Sequence, residues 1–339
     1  MTVLVTGAGG FLGSHLAGSL LRSGCDDLRL QVRRELPASM SAELRALNPA
    51  ARIEVVSANL VRRESLPELV AGVDVIVHAA AGTRGAAADM FLNSVVGTRN
   101  LLEAAAGAGC RRIALVSSFS VYNTAGLRSG ATLDESRPME ATGLEKDAYA
   151  YTKVQQEKLF REYQQRYGFA WVIARPGVIY GPGGGGISTR VGIRFGNVLL
   201  FIGGSCLLPL TYVDNCADAV ALVALRAPSG TIVNVVDSEL PTCRQYLAEY
   251  RRSVSPISAF PLPKSVALLG AKCLAAYHRR SRGQLPSTPT PYAVRSLYKK
   301  LRYSNATLMR LGWRQRVSTT AGLGATFAAL REQHDAVAR

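Results

Sequence analysis

The chain has 339 residues, 48% of them hydrophobic and 19% charged, which is enough to bury a large core and excludes a disordered chain. Its net charge of +16 is concentrated between residues 244 and 316, where fifteen lysines and arginines accompany the single acid Glu249. No apolar run reaches the roughly 20 residues that span a bilayer, and no secretory signal precedes the first predicted strand, so we expect a cytoplasmic protein of one large domain or two.

A glycine-rich turn separates the first predicted strand, residues 2–6, from a predicted helix at residues 11–22. Its glycines have GxxGxxG spacing. The first permits a tight turn, the second lets a pyrophosphate approach the backbone, and the third allows the helix to pack closely on the strand. The helix then directs its first N–H groups and its positive dipole end at the phosphates. This junction predicts a dinucleotide site with contacts from Gly7, Gly10, Phe11, Leu12 and Gly13.

The end of the second predicted strand carries the expected determinant of cofactor choice. About twenty residues past the last glycine, an acid would bind the ribose 2′-hydroxyl of NAD. The sequence has Arg33 and Arg34 there, followed by Glu35. Two guanidiniums suit a 2′-phosphate through charge-assisted bidentate hydrogen bonds, so we expect NADP as the cofactor, while Glu35 keeps NAD open.

Short strands rich in Val, Ile and Leu alternate with helices through the first half of the chain. The predicted strands are residues 2–6, 28–32, 52–56, 73–77, 112–117 and 170–174, and further helices are predicted at residues 87–106 and 147–167. This alternation is typical of a parallel sheet covered by helices on both faces. We therefore predict an α/β fold, with a Rossmann-type doubly wound parallel sheet and a smaller C-terminal substrate domain.

Three side chains predict the chemistry. Tyr149 and Lys153 are four residues apart on a predicted helix and share one of its faces. A phenol is a poor base at neutral pH, and we expect the ammonium of Lys153 to lower the pKa of Tyr149. Ser118 follows a predicted strand at the sheet edge where such folds bind ligands, and its hydroxyl can hydrogen-bond the reacting oxygen.

Beyond Arg175 the pattern changes, because proline and glycine become frequent and only one further strand is predicted, at residues 231–236. From Pro241 onward the chain is helical and basic. We predict a dinucleotide-binding domain of residues 1–176, to which residues 207–236 return, and a substrate-binding and C-terminal part of residues 177–206 and 237–339.

Six motifs, taken in order, resemble those of the extended short-chain dehydrogenase/reductase family, also called the NAD-dependent epimerases/dehydratases. They lie at residues 7–13, 93–98, 117–122, 149–153, 175–182 and 212–215, so the resemblance covers most of the chain. It implies catalysis by Ser118, Tyr149 and Lys153. It also implies further cofactor contacts from Asn59 and Leu60 beside the adenine, and from Ala79, Ala80, Asn93, Tyr149, Lys153 and Pro176.

Two positions depart from the family pattern and narrow the reaction. The family's sugar 4,6-dehydratases carry an acidic pair directly after the catalytic hydroxyl, because eliminating water needs a general acid and a general base. This chain has Phe119 and Ser120 there, so we predict that it is not a 4,6-dehydratase. Val178 stands where nucleotide-sugar members often have asparagine, which weakens that substrate assignment and resembles the hydroxysteroid dehydrogenase branch.

The resemblance leaves three functions open. The leading prediction is an NAD(P)-dependent epimerase or reductase acting on a secondary hydroxyl or keto carbon of a nucleotide-linked sugar, the substrate class that dominates the family. The alternative is a 3β-hydroxysteroid-type dehydrogenase acting on a lipid alcohol. A catalytically silent dinucleotide sensor is disfavoured, because all three catalytic residue types are present. The family's pairing through the helices at residues 87–106 and 147–167 also implies a homodimer.

The basic C-terminal stretch indicates an anionic partner. It follows no nucleic-acid-binding motif, so we expect an anionic small-molecule substrate, a membrane surface or a solvated basic face, and no specific nucleic acid. Residues 263–280 mix apolar and basic side chains, which suits either a peripheral membrane contact or a helix packed in the small domain. A proline-rich loop is predicted at residues 286–291. The scattered cysteines and histidines predict buried thiols and no metal site.

Overall fold

The computed structural model describes residues 1–83, 85–280 and 289–338. Its strands are β1 (Thr2–Thr6), β2 (Asp27–Val32), β3 (Arg52–Ser57), β4 (Val75–His78), β5 (Arg112–Val116), β6 (Thr132–Leu133), β7 (Ala170–Pro176), β8 (Val178–Tyr180), β9 (Gly192–Phe195), β10 (Val198–Phe201), β11 (Leu210–Tyr212), β12 (Thr231–Val235), β13 (Ser258–Pro261) and β14 (Arg302–Tyr303). Its α-helices are α1 (Phe11–Arg22), α2 (Ala38–Leu47), α3 (Leu66–Val70), α4 (Ala87–Phe91), α5 (Gly97–Gly107), α6 (Ala148–Tyr167), α7 (Val213–Arg226), α8 (Cys243–Ser253), α9 (Lys264–Arg280), α10 (Pro291–Leu297), α11 (Ala306–Arg310) and α12 (Thr319–Ala338).

One seven-stranded sheet organises the molecule, in the order β12-β7-β5-β4-β1-β2-β3. Every neighbouring pair in it is parallel, so all the carboxyl ends meet at one edge. The strand order reverses between β1 and β4, and such a switch point leaves a crevice at the carboxyl edge. The doubly wound parallel sheet predicted from the sequence is confirmed.

Separate helical layers cover the two faces of this sheet. Helices α1, α2 and α7 pack on one face through a core that includes Leu16 and Val220. Helices α3, α5 and α6 cover the other face through residues such as Leu101 and Phe160. Because both faces are buried, the central strands must be apolar on both sides, which explains their runs of Val, Ile and Leu.

Most predicted elements lie within one or two residues of the observed bounds. The prediction of a single strand beyond Arg175 is wrong, because the short strands β8 to β11, β13 and β14 also lie there. The predicted helix at residues 87–106 is interrupted, because a π-helical turn, Leu92–Val96, separates α4 from α5. Helix α6 begins at Ala148, where the carboxylate of Asp147 accepts the Ala150 N–H at 2.7 Å and caps the helix. It ends at Gly168, whose φ of +71° suits glycine at a helix C-terminus.

The last strand of the sheet comes from a distant part of the chain. Strand β12 pairs with β7 at the sheet edge, and α7, just before it in the chain, packs against the sheet. The chain therefore leaves the sheet after β7 and comes back to it before continuing into the C-terminal helices. The domain bounds drawn from the sequence stay a prediction.

The smaller C-terminal part joins the sheet near the carboxyl ends of β5 and β12, where Phe119, Tyr122, Val236 and Tyr303 belong to one apolar cluster. It contains a three-stranded sheet in the order β13-β10-β9, and α8 packs on α12 through Tyr246 and its neighbours. Of the predicted proline-rich loop, residues 286–288 lie outside the described residues, and α10 begins at Pro291.

Within residues 1–83, 85–280 and 289–338, no helix has the length and apolar character needed to cross a membrane.

Five of the six cysteines are buried thiols, as predicted. Cys273 is exposed on α9, because it lies on a side of that helix that no other element of the described chain covers.

Candidate active site

The glycine turn brings a strand, a turn and a helix into contacts that only glycine permits. Gly7 has a φ of +71°, and a Cβ there would lie 2.9 Å from the Cα of Ala80. A Cβ on Gly13 would lie 2.0 Å from the carbonyl oxygen of Gly7, so α1 packs directly on the turn. No side chain caps α1 and its first turn holds no acid, which leaves the amides at Phe11 and Leu12 for an anion.

A cleft of about 830 Å³ opens beside this turn, at the carboxyl ends of β1 to β4. The predicted cofactor contacts on its lining are Gly7, Gly10, Arg33, Arg34, Asn59, Leu60, Ala79, Ala80 and Asn93. Lining residues that the sequence did not single out include Gly9, Gln31, Ala81, Gly82 and Thr83. The volume, the glycine contacts and the uncapped helix together fit a dinucleotide.

The other predicted contacts are not among the residues that line the cleft. Phe11, Leu12 and Gly13 form the first turn of α1. Tyr149 and Lys153 lie on α6, and Pro176 is buried at the end of β7.

The rim of the cleft carries two arginines followed by Glu35. Arg33 and Arg34 are exposed, and neither guanidinium forms a hydrogen bond or ion pair with any other residue that the structure describes. Two such guanidiniums are free to bind a phosphate group. Asn59 is less available than expected, because its side-chain oxygen already accepts the N–H of Val61 at 3.1 Å.

Gln31 is a supporting residue that the sequence analysis missed. It is buried near the end of β2, and its Oε1 accepts the Gly7 N–H at 2.8 Å. Its Nε2 donates to the carbonyl oxygen of Ala58 at 2.6 Å. The side chain therefore ties the glycine turn to the loop after β3. A polar residue between Leu30 and Val32, at the carboxyl end of a strand next to the glycine turn, is the signal that could have identified it.

The structure brings Ser118 and Tyr149 together at the carboxyl end of β5. Ser118 follows that strand, and its Oγ accepts the N–H of Ser120 at 3.1 Å. A hydrogen bond from Ser118 lowers the pKa of Tyr149, but burial, the largest influence, and the charge of Asp147 hold that pKa above its usual value. The expected lowering by Lys153 is absent among these influences, so the Tyr149 phenol keeps its proton at neutral pH.

Lys153 lies in a buried hydrogen-bond network. Its Nζ donates to the carbonyl oxygen of Val116 at 2.9 Å and to Oε1 of Gln156 at 2.8 Å. Gln156 Nε2 in turn donates to Oγ1 of Thr98, which also contacts Nε2 of His78 at 2.8 Å. Burial lowers the pKa of Lys153 to about 8, against the charge of Glu157, which raises it.

The same network reaches the glycine turn through His78. Nδ1 of His78 lies 2.7 Å from Oγ1 of Thr6, which accepts the N–H of Ala80 at 3.3 Å. Burial, reinforced by the charge of Lys153, lowers the pKa of His78 to about 3, so the imidazole is neutral. A continuous set of hydrogen bonds thus connects Lys153 with the cleft, which Ala80 lines.

A buried ion pair fixes α6 against the sheet. Glu157, one turn after Lys153, accepts from Ser117 Oγ at 2.7 Å and from Arg175 on β7, and it pairs with Arg161 at 2.9 Å. Burial alone would raise the pKa of Glu157, but Arg175 holds it below its usual value. Because Ser117 precedes Ser118, this pair positions the serine relative to the helix that carries Tyr149 and Lys153.

A second, smaller cavity of about 50 Å³ lies next to these residues and faces the C-terminal part. Its lining mixes apolar with polar and charged residues and comprises Phe119, Ser120, Thr124, Leu133, Lys146, Asp147, Ala150, Arg190, Ala293, Ser296, Leu297, Leu301 and Tyr303. The hydroxyl of Ser120 is buried and has no hydrogen-bond partner among the residues that the structure describes. The Lys146 ammonium is already occupied by Glu140 and by the carbonyl oxygens of Ser120 and Tyr122.

The Tyr-Val-Asp-Asn motif anchors the C-terminal part to the sheet. Asn215 Oδ1 accepts the Val317 N–H at 2.9 Å, and Asn215 Nδ2 donates to Oδ1 of Asp237 at 3.0 Å. Tyr180 Oη donates to Asp237 at 3.1 Å. Burial raises the pKa of Asp237 to about 6. This motif therefore has a supporting role rather than a place on the cleft.

The sequence predicted no metal site. Over the described ranges, no three histidine, cysteine, aspartate or glutamate side chains lie close enough together to hold a metal ion. The side chains at the site offer the chemistry of a hydroxyl, a phenol and an ammonium.

Comparison of the sequence with known proteins identifies one family profile and several relatives. The sequence profile of the NAD dependent epimerase/dehydratase family matches residues 3–235. Over 251 residues the chain is 31% identical to a 4-hydroxy-2-methyl-3-oxo-4-farnesyl-3,4-dihydroquinoline-1-oxide ketoreductase of Stigmatella aurantiaca, covering 73% of this chain and 71% of that protein. Over 265 residues it is 30% identical to an uncharacterized UDP-glucose epimerase of Bacillus subtilis (strain 168), covering 70% and 78% respectively.

Solved structures show the same fold. The dTDP-glucose 4,6-dehydratase DesIV of Streptomyces venezuelae, crystallised with NAD, superposes with a TM-score of 0.72. The sequence identity is 24%, and the match covers 99% of this chain and 98% of that chain.

Proposed function

The chain belongs to the NAD-dependent epimerase/dehydratase family, and from that premise we propose that it is an NADPH-dependent reductase of a ketone on a largely apolar molecule. The observation that carries this proposal is the Tyr149 phenol hydrogen-bonded to Ser118 at the carboxyl end of β5. Reduction of a ketone needs a proton donor at the carbonyl oxygen, and a phenol carries its proton at neutral pH and can supply it there.

The three side chains would have distinct roles. Tyr149 Oη would give its proton to the carbonyl oxygen as the alcohol forms, and Ser118 Oγ would hydrogen-bond the same oxygen. Lys153 uses two of its three donors on Val116 and Gln156, so one N–H would remain for the cofactor ribose. When bound, the nicotinamide would supply the hydride, or accept it in the reverse reaction.

The cofactor would be held by the turn and the cleft rim. Gly7, Gly10, Gly13 and the first amides of α1 would receive the pyrophosphate. Arg33 and Arg34 would bind a 2′-phosphate, because nothing in the described protein occupies them. This supports NADP over NAD.

The substrate class is proposed from the small cavity. Phe119, Leu133, Leu297, Leu301 and Tyr303 form an apolar part of its lining, beside polar and charged residues that include Lys146, Asp147 and Arg190. The Ser120 hydroxyl, which has no partner among the described residues, offers one hydrogen bond. The apolar part favours contact with a hydrocarbon portion of a ligand. The similarity to a ketoreductase whose named substrate bears a farnesyl chain supports the same class.

Epimerisation or reduction of a nucleotide-linked sugar is the second candidate. Arg190 on the cavity wall could meet a phosphate, and one relative is named as a UDP-glucose epimerase. We do not propose 4,6-dehydration, because the positions after Ser118 are Phe119 and Ser120 rather than acids, and Phe119 is buried against Tyr303. A homodimer through α4, α5 and α6 remains the proposed assembly.

The test compares two substrate classes in one assay. Purified protein is incubated with NADPH and either a long-chain 3-oxo compound or a nucleotide 4-keto sugar, and NADPH oxidation is followed by absorbance. Tyr149→Phe protein serves as the matched control. We expect turnover of the 3-oxo compound that the Tyr149→Phe protein lacks. Turnover of the sugar alone would favour the second candidate, and a dinucleotide that stays bound during purification would point to epimerisation.

A further inference from the structure

Helix α9 exposes apolar side chains on a side where no other element of the described chain covers it. Only Ala267 and Ala271 of this helix are buried, where they pack with Ile202. Val266, Leu269, Cys273 and Tyr277 recur at spacings of three and four residues and so follow one side of the helix. Val266 is 51% exposed, Leu269 62% and Tyr277 55%.

The neighbouring three-stranded sheet extends this apolar area. Phe195 on β9 pairs directly with Val198 on β10, and Phe260 on β13 pairs with Leu200 on β10. Paired residues point to the same face, and Val198 and Leu200 are two apart on one strand, so all four side chains share a face. Phe195 and Phe260 are 63% and 58% exposed.

The helix lies beside that face of the sheet. Ile193 pairs with Leu200 and packs in the same cluster as Ala267 and Ala271 of α9. We call Phe195, Val198, Phe260, Val266, Leu269 and Tyr277 together the α9 surface.

The segments that form the α9 surface carry charges of one sign. Lys272, Arg279 and Arg280 are exposed on the helix. No aspartate or glutamate occurs anywhere in residues 182–213 or 250–316, the segments that contain β9, β10, β13 and α9. Large apolar side chains and cations in segments without a carboxylate are the composition of a helix that lies in the interface of an anionic bilayer.

We propose that the α9 surface docks the protein on an anionic lipid membrane, with the apolar side chains entering the headgroup region. A second copy of this chain fits less well, because two such surfaces would bring cations against cations. A nucleic acid would use the cations but gives no reason for the exposed Phe195, Phe260 and Leu269. The inference stands independently of the proposed substrate.

Vesicle co-sedimentation tests the proposal with the full chain. The probes are vesicles of phosphatidylcholine alone and of phosphatidylcholine with phosphatidylglycerol, at low and at high ionic strength. We expect binding to the anionic vesicles that weakens with salt, and at least about tenfold weaker binding to neutral vesicles. Absence of binding to anionic vesicles at low ionic strength would overturn the proposal.

Two variants separate the apolar from the charged contribution. Leu269→Gln with Tyr277→Gln, and Lys272→Glu with Arg279→Glu, should each reduce binding to anionic vesicles at least about tenfold. Leu47→Gln with Arg45→Glu, on exposed positions of α2, is the matched control and should bind as the wild type does. NADPH binding by all proteins verifies that they are folded.

Three further outcomes would count against the proposal. If both α9 variants sediment like the wild type, the α9 surface is not the docking surface. If light scattering shows a wild-type dimer that only the apolar variant loses, a second copy covers the surface. If an oligonucleotide competes with the vesicles and the apolar variant still binds it fully, the cations serve a nucleic acid.

Discussion

The cleft proposed for the cofactor, of about 830 Å³, is lined by residues between Gly7 and Asn93, whereas the small cavity proposed for the substrate, of about 50 Å³, takes its lining from residues between Phe119 and Tyr303. The cleft is formed largely by turns that follow four neighbouring strands of one sheet. The cavity is formed by side chains from the sheet edge and from helices more than a hundred residues later. A local motif therefore shapes the first region, and long-range packing shapes the second.

This difference implies that the two regions can be changed separately. Variants of the cleft should alter cofactor affinity, and variants of the cavity should alter the KM for the substrate. Tyr149 lines neither region, so its replacement by phenylalanine should alter neither affinity and only the rate of the chemical step. The buried groups beneath the regions also differ, because the pKa of His78 under the cleft is lowered, whereas that of Asp237 under the C-terminal part is raised.

The largest effect is expected at Tyr149. Tyr149→Phe should lower kcat by about 10²- to 10⁴-fold, because proton transfer to the reacting oxygen is lost. The Kd for NADPH, measured by fluorescence titration, should change little. Ser118→Ala should lower kcat less than Tyr149→Phe does, and Lys153→Met should lower both kcat and cofactor affinity. Wild-type turnover by Tyr149→Phe over the pH range would move the role to Tyr122 or Tyr151.

The next effect concerns the free energy of unfolding at acidic pH. The pKa of His78 is about 3 in the folded protein and 6.5 in the unfolded chain, so its contribution is present above pH 6.5 and is lost as the pH falls toward 3. Urea unfolding at pH 7 and pH 5 should show that wild-type protein loses about 2 kcal/mol more than His78→Gln, at about 1.4 kcal/mol per pH unit.

In the same experiment, the contribution of Asp237 to the free energy of unfolding changes with pH in the opposite direction. Its pKa is raised from 3.8 to about 6, so its contribution is present below pH 3.8 and is lost as the pH rises through 6. Both proteins retain Asp237, and its effect cancels when they are compared. Parallel pH dependence in wild type and His78→Gln would mean that the His78 network does not hold a neutral imidazole.

Cofactor choice should depend on the rim of the cleft alone. Arg33→Gln with Arg34→Gln should weaken NADPH binding by about 10- to 100-fold through the loss of charge-assisted hydrogen bonds, and should leave NADH binding nearly unchanged. The substrate KM should stay at its wild-type value. Equal or tighter binding of NADH than NADPH by the wild type would contradict the NADP assignment.

The smallest effect is expected in the substrate cavity. Ser120→Ala removes a buried hydroxyl that has no partner in the described protein, so stability should stay equal or rise slightly. If that hydroxyl binds the substrate, KM should rise about three- to tenfold, with the Kd for NADPH unchanged. A thermal unfolding curve and steady-state kinetics decide it, and an unchanged KM would remove Ser120 from the substrate site.

Local signals in the sequence were sufficient for the sheet and for the glycine turn. Strand and helix periods, and the spacing of Gly7, Gly10 and Gly13, depend on residues close together in the chain, and the structure reproduces them. The same holds for Tyr149 and Lys153, whose helix could be placed from its own pattern. Their catalytic roles stay predictions.

Tertiary structure alone decided what surrounds these residues. Glu157 meets Arg175, Gln156 meets Thr98 and His78, Gln31 meets Gly7, and the Ser120 hydroxyl is left unpaired, within the described chain, beside helices from its far end. The exposure of one side of α9 was likewise decided by the tertiary structure, because the composition of residues 263–280 suits a packed helix equally well. Burial and charge at each of these positions depend on segments distant in sequence. The local periodicity of the sequence does not indicate which of those segments packs there. For the same reason the sequence predicted a lowered pKa for Tyr149, whereas the packing around it raises that pKa.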